Sequence, residues 1–223
     1  MNIPDNILKQ KLQNVYFIWG GCCAGKTTSA SELLRKHGYY WYSTDYNRSK
    51  HFANALPEYQ PAMSRRLDPF AISKEEALQW EREIVREYTP MVVADLIELA
   101  AIHQVVICES DIDIDAIMPI VTNAISLSYW GSVPRDFFSR PDHANMLDAI
   151  RNAPDLSELE KQERIKNAYA LASDFPSDVK KETPREVVEY GVKHIVTYET
   201  TSIDEMVNMI EDFFGFPKKM PGE

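Results

Sequence analysis

Four shortages stand out in this 223-residue chain, and each excludes something. Cysteine is nearly absent: Cys22, Cys23 and Cys108 are an odd number, with two adjacent, so they cannot form a disulfide framework and fit a reducing cytosol. Basic charge is in deficit, with 24 Lys and Arg against 34 Asp and Glu and a net charge of −10. That balance excludes non-specific attraction to DNA or RNA, and an anionic ligand must be held by local positive groups against the overall field. Long apolar runs are missing. The longest such stretch, 91–102, contains Asp95 and Glu98 and is too short to span a bilayer. The N-terminus has no basic region followed by an apolar one, so no signal peptide is read there. Glycine is scarce at 8 residues, which makes Gly20, Gly21 and Gly25 a conspicuous cluster.

What is present reads as a single α/β domain over residues 1–223, cytoplasmic, with neither nucleic acid nor membrane as partner. Residues 15–19 are a continuous apolar run, the pattern of a fully buried strand. Ala30, Leu33, Leu34 and His37 then recur at helical spacing, and Gly38 stops that helix. Further strands are expected at 39–43, 104–108, 124–128 and 194–198. Residues 46–72 read as a loop or short helical insertion. Ser73 and Glu76 have the capping-box pattern and open a helix that Pro90 is expected to break or kink before a second one reaches about 102. A short helix is expected around 113–121, and residues 129–190 form a charged, helical excursion. Thr183, Pro184 and Glu186 mark a helix start within it, with proline at the first helical position. Ser202 and Glu205 open a last helix that buries Ile203, Met206, Val207, Ile210 and Phe214. Strands alternating with helices imply a parallel sheet covered on both faces, with ligands at the carboxyl ends of its strands.

The glycine cluster falls at such an end. Residues 20–27, GGCCAGKT, satisfy G-x-x-x-x-G-K-[ST] between the first strand and the first helix. Gly20 and Gly25 permit the backbone turns that let consecutive N–H groups converge on a polyphosphate. The amides of Gly21, Cys22, Cys23, Ala24 and Thr28 complete that cradle, and the helix beginning near Lys26 aims its positive end at it. Lys26 supplies a cation for the β- and γ-phosphates, and the Thr27 hydroxyl is a ligand for Mg²⁺. The two loop cysteines read as small fillers, or as thiols activated by Lys26 and the helix dipole that would make nucleotide binding oxidation-sensitive.

With STD (Ser43 to Asp45) closing the second strand, VVICE (Val105 to Glu109) closing the third and VPRDFFSR (Val133 to Arg140) after the fourth, the chain resembles P-loop kinases of the shikimate, gluconate and nucleoside-monophosphate kinase group. The resemblance implies a P-loop NTPase three-layer sandwich, a five-stranded parallel sheet of order 2-3-1-4-5 and a mobile helical lid at 129–190. It implies ATP and Mg²⁺ as cofactors, and phosphoryl transfer to a small-molecule acceptor lodged against 46–72. Asp45 would then face the γ-phosphate and take or orient the acceptor's proton; read by itself, Asp45 equally suits a turn or helix N-cap. Glu109 would hold Mg²⁺ through water or bind substrate, or else cap the next helix. Arg135 and Arg140, or Arg151 in their stead, would close over the phosphates. Arg48, Lys50, His51, Arg65 and Arg66 outnumber Glu58 and Asp68 in 46–72, a local excess that suits an anionic acceptor or an exposed basic loop, with Arg48 as a substrate contact and His51 as a surface residue. The rival is a nucleotide-binding regulatory switch without a metabolite acceptor. No N-K-x-D motif favours guanine.

Overall fold

The computed structural model describes residues 3–65, 67–131, 138, 141–172 and 183–217. It is an α/β fold around one all-parallel five-stranded sheet in the order β2-β3-β1-β4-β5, made of β1 (Val15–Gly20), β2 (Tyr40–Ser43), β3 (Val106–Glu109), β4 (Asn123–Tyr129) and β5 (Lys193–Thr197). This is the order the resemblance implied. The helices are α1 (Asp5–Lys11), α2 (Lys26–His37), α3 (Thr44–Asn54), α4 (Pro61–Ser64), α5 (Lys74–Ile102), α6 (Ile114–Ile117), α7 (Pro141–Arg151), α8 (Glu158–Ala172), α9 (Arg185–Tyr190) and α10 (Ile203–Phe214). Among the described residues no helix is long and apolar enough to cross a membrane.

Strand alternation divides the core into two faces. Val15, Phe17 and Trp19 of β1, Tyr42 of β2 and Val106 and Cys108 of β3 point to one side, against Ile84, Tyr88, Val92 and Leu96 of α5. Ile18 and Ile107 point to the other, with Ile125, Leu127 and Ile195, against α2 and the Met206, Val207 and Ile210 stripe of α10. Glu109 shares the parity of Ile107 and therefore belongs to the α2 side.

Several elements differ from the sequence expectation, each for a local reason. The insertion read at 46–72 consists of loop and short helices, but its first helix begins earlier than expected: α3 starts within the STD triplet, directly from β2, and α4 follows. His51 is not a surface residue but is 3% exposed, enclosed by Tyr42 and Tyr88. Pro90 does not end a helix. It lies on the exposed side of an unbroken 29-residue α5, where the carbonyl it leaves unbonded can meet water. Next to it, the Thr89 hydroxyl donates to Val85 O at 2.6 Å and accepts from Asp113 N at 2.9 Å, tying this turn to the loop after β3. Pro184 is the N-cap of α9 rather than its first residue. Ile203 is 51% exposed, so the buried stripe of α10 begins at Met206. Both capping boxes form as read, Ser73 with Glu76 and Ser202 with Glu205.

Gly20 ends β1 beside Leu127 of β4. Its φ is +132°, and a Cβ placed there would lie 2.1 Å from the Leu127 carbonyl oxygen. Gly38 also has positive φ, +70°, but open space around it. Gly38→Ala is expected to cost about 1 kcal/mol, the strain of left-handed backbone alone. Gly20→Ala adds a backbone clash that the sheet cannot relieve, for a loss of about 3 kcal/mol or more. Denaturant titration of the two variants checks this, and equal losses would show that contact with β4 is not what requires glycine at position 20.

Candidate functional site

The connection from β1 to α2 turns through unusual backbone. Gly20 and Gly25 have φ of +132° and +98°, and Cys23 is the one non-glycine residue among those described with positive φ, at 64°. Gly25 is the N-cap of α2 and offers no side chain to its first amides, which by helix geometry lack intrahelical acceptors. Their unspent hydrogen bonds and the helix dipole point to the space in front of the loop. The loop is braced from behind by a hydrogen bond from Ala24 N to Gly21 O at 3.3 Å, and by Ser29, whose amide and hydroxyl both reach Gly25 O at 2.9 Å.

Lys26 folds back across this space. Its Nζ donates to Gly20 O at 2.8 Å and to Gly21 O at 3.0 Å, so the ammonium is already positioned at the mouth of the loop. The neighbouring Thr27 hydroxyl donates to Glu109 Oε1. The end of β3 is thereby joined to the first turn of α2.

Glu109 lies between β1 and β2, in register with Ile18 and Ser43, and is 4% exposed. Burial pushes its pKa above the ordinary carboxylate value, and Asp45 adds to the rise; the Thr27 hydrogen bond, Lys26 and Trp41 oppose it but do not prevail. Trp41 favours the ionised form only weakly. Neither its Nε1 nor Glu109 Oε2 has an aligned hydrogen-bond partner. Glu109 Oε2 is thus a buried acceptor without a donor, which ordinarily costs about 1–3 kcal/mol.

Asp45 is exposed in the first turn of α3, close enough to Glu109 to influence its charge. Ser43 occupies the N-cap without a side-chain hydrogen bond, so Asp45 is not the cap of that helix. Thr44 accepts from Asp111 N at 3.1 Å and fastens the loop after β3 to the start of α3. Lys26, Thr27, Asp45 and Glu109 therefore meet at one edge of the sheet, with Thr28 exposed on the next position of α2.

Arg48 lies one turn further along α3, close enough to Asp111 to feel its charge. The Arg48 Nη2 donates to both carboxylate oxygens of Glu81 of α5, at 2.6 and 2.7 Å. The basic excess of 46–72 is consumed in the same way: Lys50 bonds Asp95 at 3.0 and 3.1 Å, and Arg65 lies 3.6 Å from Glu83. His51 bonds the Tyr42 hydroxyl at 3.0 Å, which itself donates to Asp95. Arg151 pairs with Asp148 in its own helix, and Arg66, Arg135 and Arg140 lie outside the described residues.

No family model matches this chain, and no curated protein does. Solved structures do resemble it. One is a sugar kinase from Janibacter sp. HTCC2649, determined without ligand, with a TM-score of 0.34 and 12% sequence identity over 91% of this chain and 95% of that one. A likeness of that degree carries no argument about function.

Sequence reasoning did not anticipate Trp41, Tyr46 or Glu81. Trp41 packs partly buried against the Ile18 and Ile107 core, and the alternation of β2 places it on the same face as Ser43, a signal that was available. Its ring meets Tyr46 edge-on at 5.5 Å, and Tyr46 is 70% exposed beside Asp45. The pairing of Glu81 with Arg48 depends on how α5 crosses α3, which no local pattern encodes.

Burial of Glu109 has a sign that can be measured. Its folded pKa lies above the ordinary value of 4.5, so its contribution to stability is complete below that value and is lost as pH rises through the folded pKa. Glu109→Gln keeps an oxygen for Thr27 and removes the buried charge. The variant is expected to be more stable than the parent at about pH 8, with the advantage fading as pH falls through the raised folded pKa and gone below about 4.5. Denaturation midpoints at the two ends of that range decide it; an advantage that grew in acid would mean that Lys26 and Thr27 outweigh burial.

Proposed function

We propose that the chain is a phosphotransferase: it binds Mg-ATP at the Gly20–Thr28 turn and moves the γ-phosphoryl group to a small-molecule hydroxyl or phosphate acceptor. The observation that carries this reading is the convergence of Lys26, the Thr27–Glu109 pair and Asp45 at the carboxyl edge of a parallel sheet, beside a helix N-terminus with unspent amides.

Each group has a task it is chemically suited to. The turn amides, with those of Cys22, Cys23 and Ala24, hold the phosphate chain. The Lys26 ammonium exchanges the carbonyls of Gly20 and Gly21 for β- and γ-phosphate oxygens, a stronger, charge-assisted partner. Thr27 and Glu109 offer adjacent hard oxygen atoms, one of them the buried and unpartnered Oε2, and so fit Mg²⁺. Among the described residues no group of three or more His, Cys, Asp or Glu is arranged for a metal, which suits an ion held largely by phosphate oxygens and water. When bound, it neutralises charge developing on the transferred group. Asp45 accepts the proton of the acceptor hydroxyl as the new O–P bond forms, and ADP departs with the oxygen of the broken bond. Arg135 and Arg140 are the candidates for closing over the phosphates.

Two variants test this assignment. Lys26→Ala is expected to abolish tight Mg-ATP binding measured by titration calorimetry. Asp45→Asn is expected to leave binding intact and to lower acceptor-dependent ADP release by about 10²-fold or more. Full transfer activity in Asp45→Asn would remove the role given to it. ADP release indifferent to every acceptor, together with nucleotide-dependent capture of a protein, would favour a regulatory switch instead.

A further inference from the structure

The proposed function leaves the acceptor open between a hydroxyl compound and a phosphorylated one, and the charges around Asp45 differ in what they offer the two. A phosphorylated acceptor needs cations whose charge is not already matched by carboxylates. Each described basic residue of the α3–α4 segment already has an anionic or polar partner. Arg48 gives its Nη2 to both oxygens of Glu81 and lies close enough to Asp111 to feel its charge, Lys50 bonds both oxygens of Asp95, and Arg65 faces Glu83. His51 is buried against Tyr42 and Asp95. Burial pushes its pKa below the ordinary value, against the pull of Asp95, so it too adds little positive charge.

The groups left facing the space beside Asp45 are of the opposite kind. Asp45 and Asp111 are both exposed. They are held near each other because Asp111 N donates to Thr44, the residue before Asp45, at 3.1 Å. Glu109 lies behind them with its buried Oε2 unpartnered. Tyr46, against Trp41, contributes an exposed aromatic edge to the same margin. Carboxylates accept hydrogen bonds from hydroxyls and ammonium groups and repel phosphate, and aromatic rings favour C–H faces and cations.

Resting on the phosphotransferase reading, we infer that the acceptor is a hydroxyl compound with no phosphate or carboxylate of its own, neutral or amine-bearing, received between Asp45, Asp111 and the Trp41–Tyr46 edge. A phosphomonoester there has to share Arg48 with Glu81 and Asp111, and meets the exposed carboxylate of Asp45 as well. The resulting penalty is roughly tenfold or more in affinity.

The experiment compares matched pairs on the full chain with Mg-ADP present: glucose and glucosamine against glucose 6-phosphate, and adenosine against AMP. Binding is followed by thermal shift, and transfer from Mg-ATP by ADP release. In the parent protein the phosphorylated member of each pair is expected to bind at least about tenfold more weakly than its parent alcohol or not at all, and not to be the better acceptor. Glu81→Gln frees Arg48 while leaving the Asp45 margin in place, and is expected to gain affinity for the phosphorylated members. A parent protein that prefers a phosphorylated member overturns the inference, as does a Glu81→Gln protein whose response to the phosphorylated members equals the parent's. Those outcomes leave the phosphotransferase reading intact. That reading fails separately, if Mg-ATP produces no Lys26-dependent stabilisation.

Discussion

The hydrogen bond from Thr27 to Glu109 is the constraint on which this molecule turns. It joins residues 82 positions apart and fixes where the first turn of α2 lies relative to the edge of the sheet. Packing of Ala30 and Leu33 seats α2 on the sheet, and this bond ties its first turn to the end of β3. With it, the Lys26 ammonium, the helix amides and the Asp45 carboxylate share one space. The bond has a cost, because Glu109 is buried and its second oxygen is unpartnered. A protein with no use for a polar group there would do better with an apolar strand end, as on the parallel strands' inner positions Ile107 and Cys108.

The sheet order makes the bond available. β1 is central, with β3 on one side and β4 on the other. A helix leaving β1 therefore starts above its neighbours' ends, and β3 delivers Glu109 beside it in register with Ile18. The same centrality explains Gly20. The chain has to turn steeply away from a strand bonded on both sides, so the turning residue meets the Leu127 carbonyl at a distance only a hydrogen can occupy. The fold requirement at Gly20 and the amide geometry of the loop are one solution.

Much of this was legible because it is local. Strand alternation, the capping boxes at Ser73 and Ser202, and glycine at left-handed positions act over a few residues and survive any tertiary setting. The G-x-x-x-x-G-K-[ST] spacing located the turn, and strand ends located Asp45 and Glu109. What was not legible depends on partners distant in sequence. Pro90 reads as a helix break, but packing of Tyr88, Val92 and Leu96 along one face holds α5 together while the proline faces solvent. His51 is polar and lies in a basic stretch, yet Tyr42 and Asp95 satisfy it inside the protein. Arg48 reads as a ligand contact until Glu81 is placed opposite it.

That last point extends to the whole of α5. One helix carries Glu81, Glu83 and Asp95 to the basic residues of α3 and α4, and Glu87 to the amides of Ala62 and Met63 at 2.9 Å. It acts as an electrostatic template: the segment beside the proposed acceptor space folds as helices because α5 satisfies it. Surface pairs of this sort contribute little stability individually, so their joint effect is better seen in the field they leave behind. With those cations neutralised in a chain of net charge −10, the described cation that faces the Gly20–Gly25 turn is Lys26. Lys26 thereby places positive charge at the turn, while Asp45 and Asp111 place exposed carboxylates at the adjoining margin. Under the proposed function, this contrast of charge assigns the phosphate donor to the turn and leaves the margin to an acceptor without a phosphate of its own.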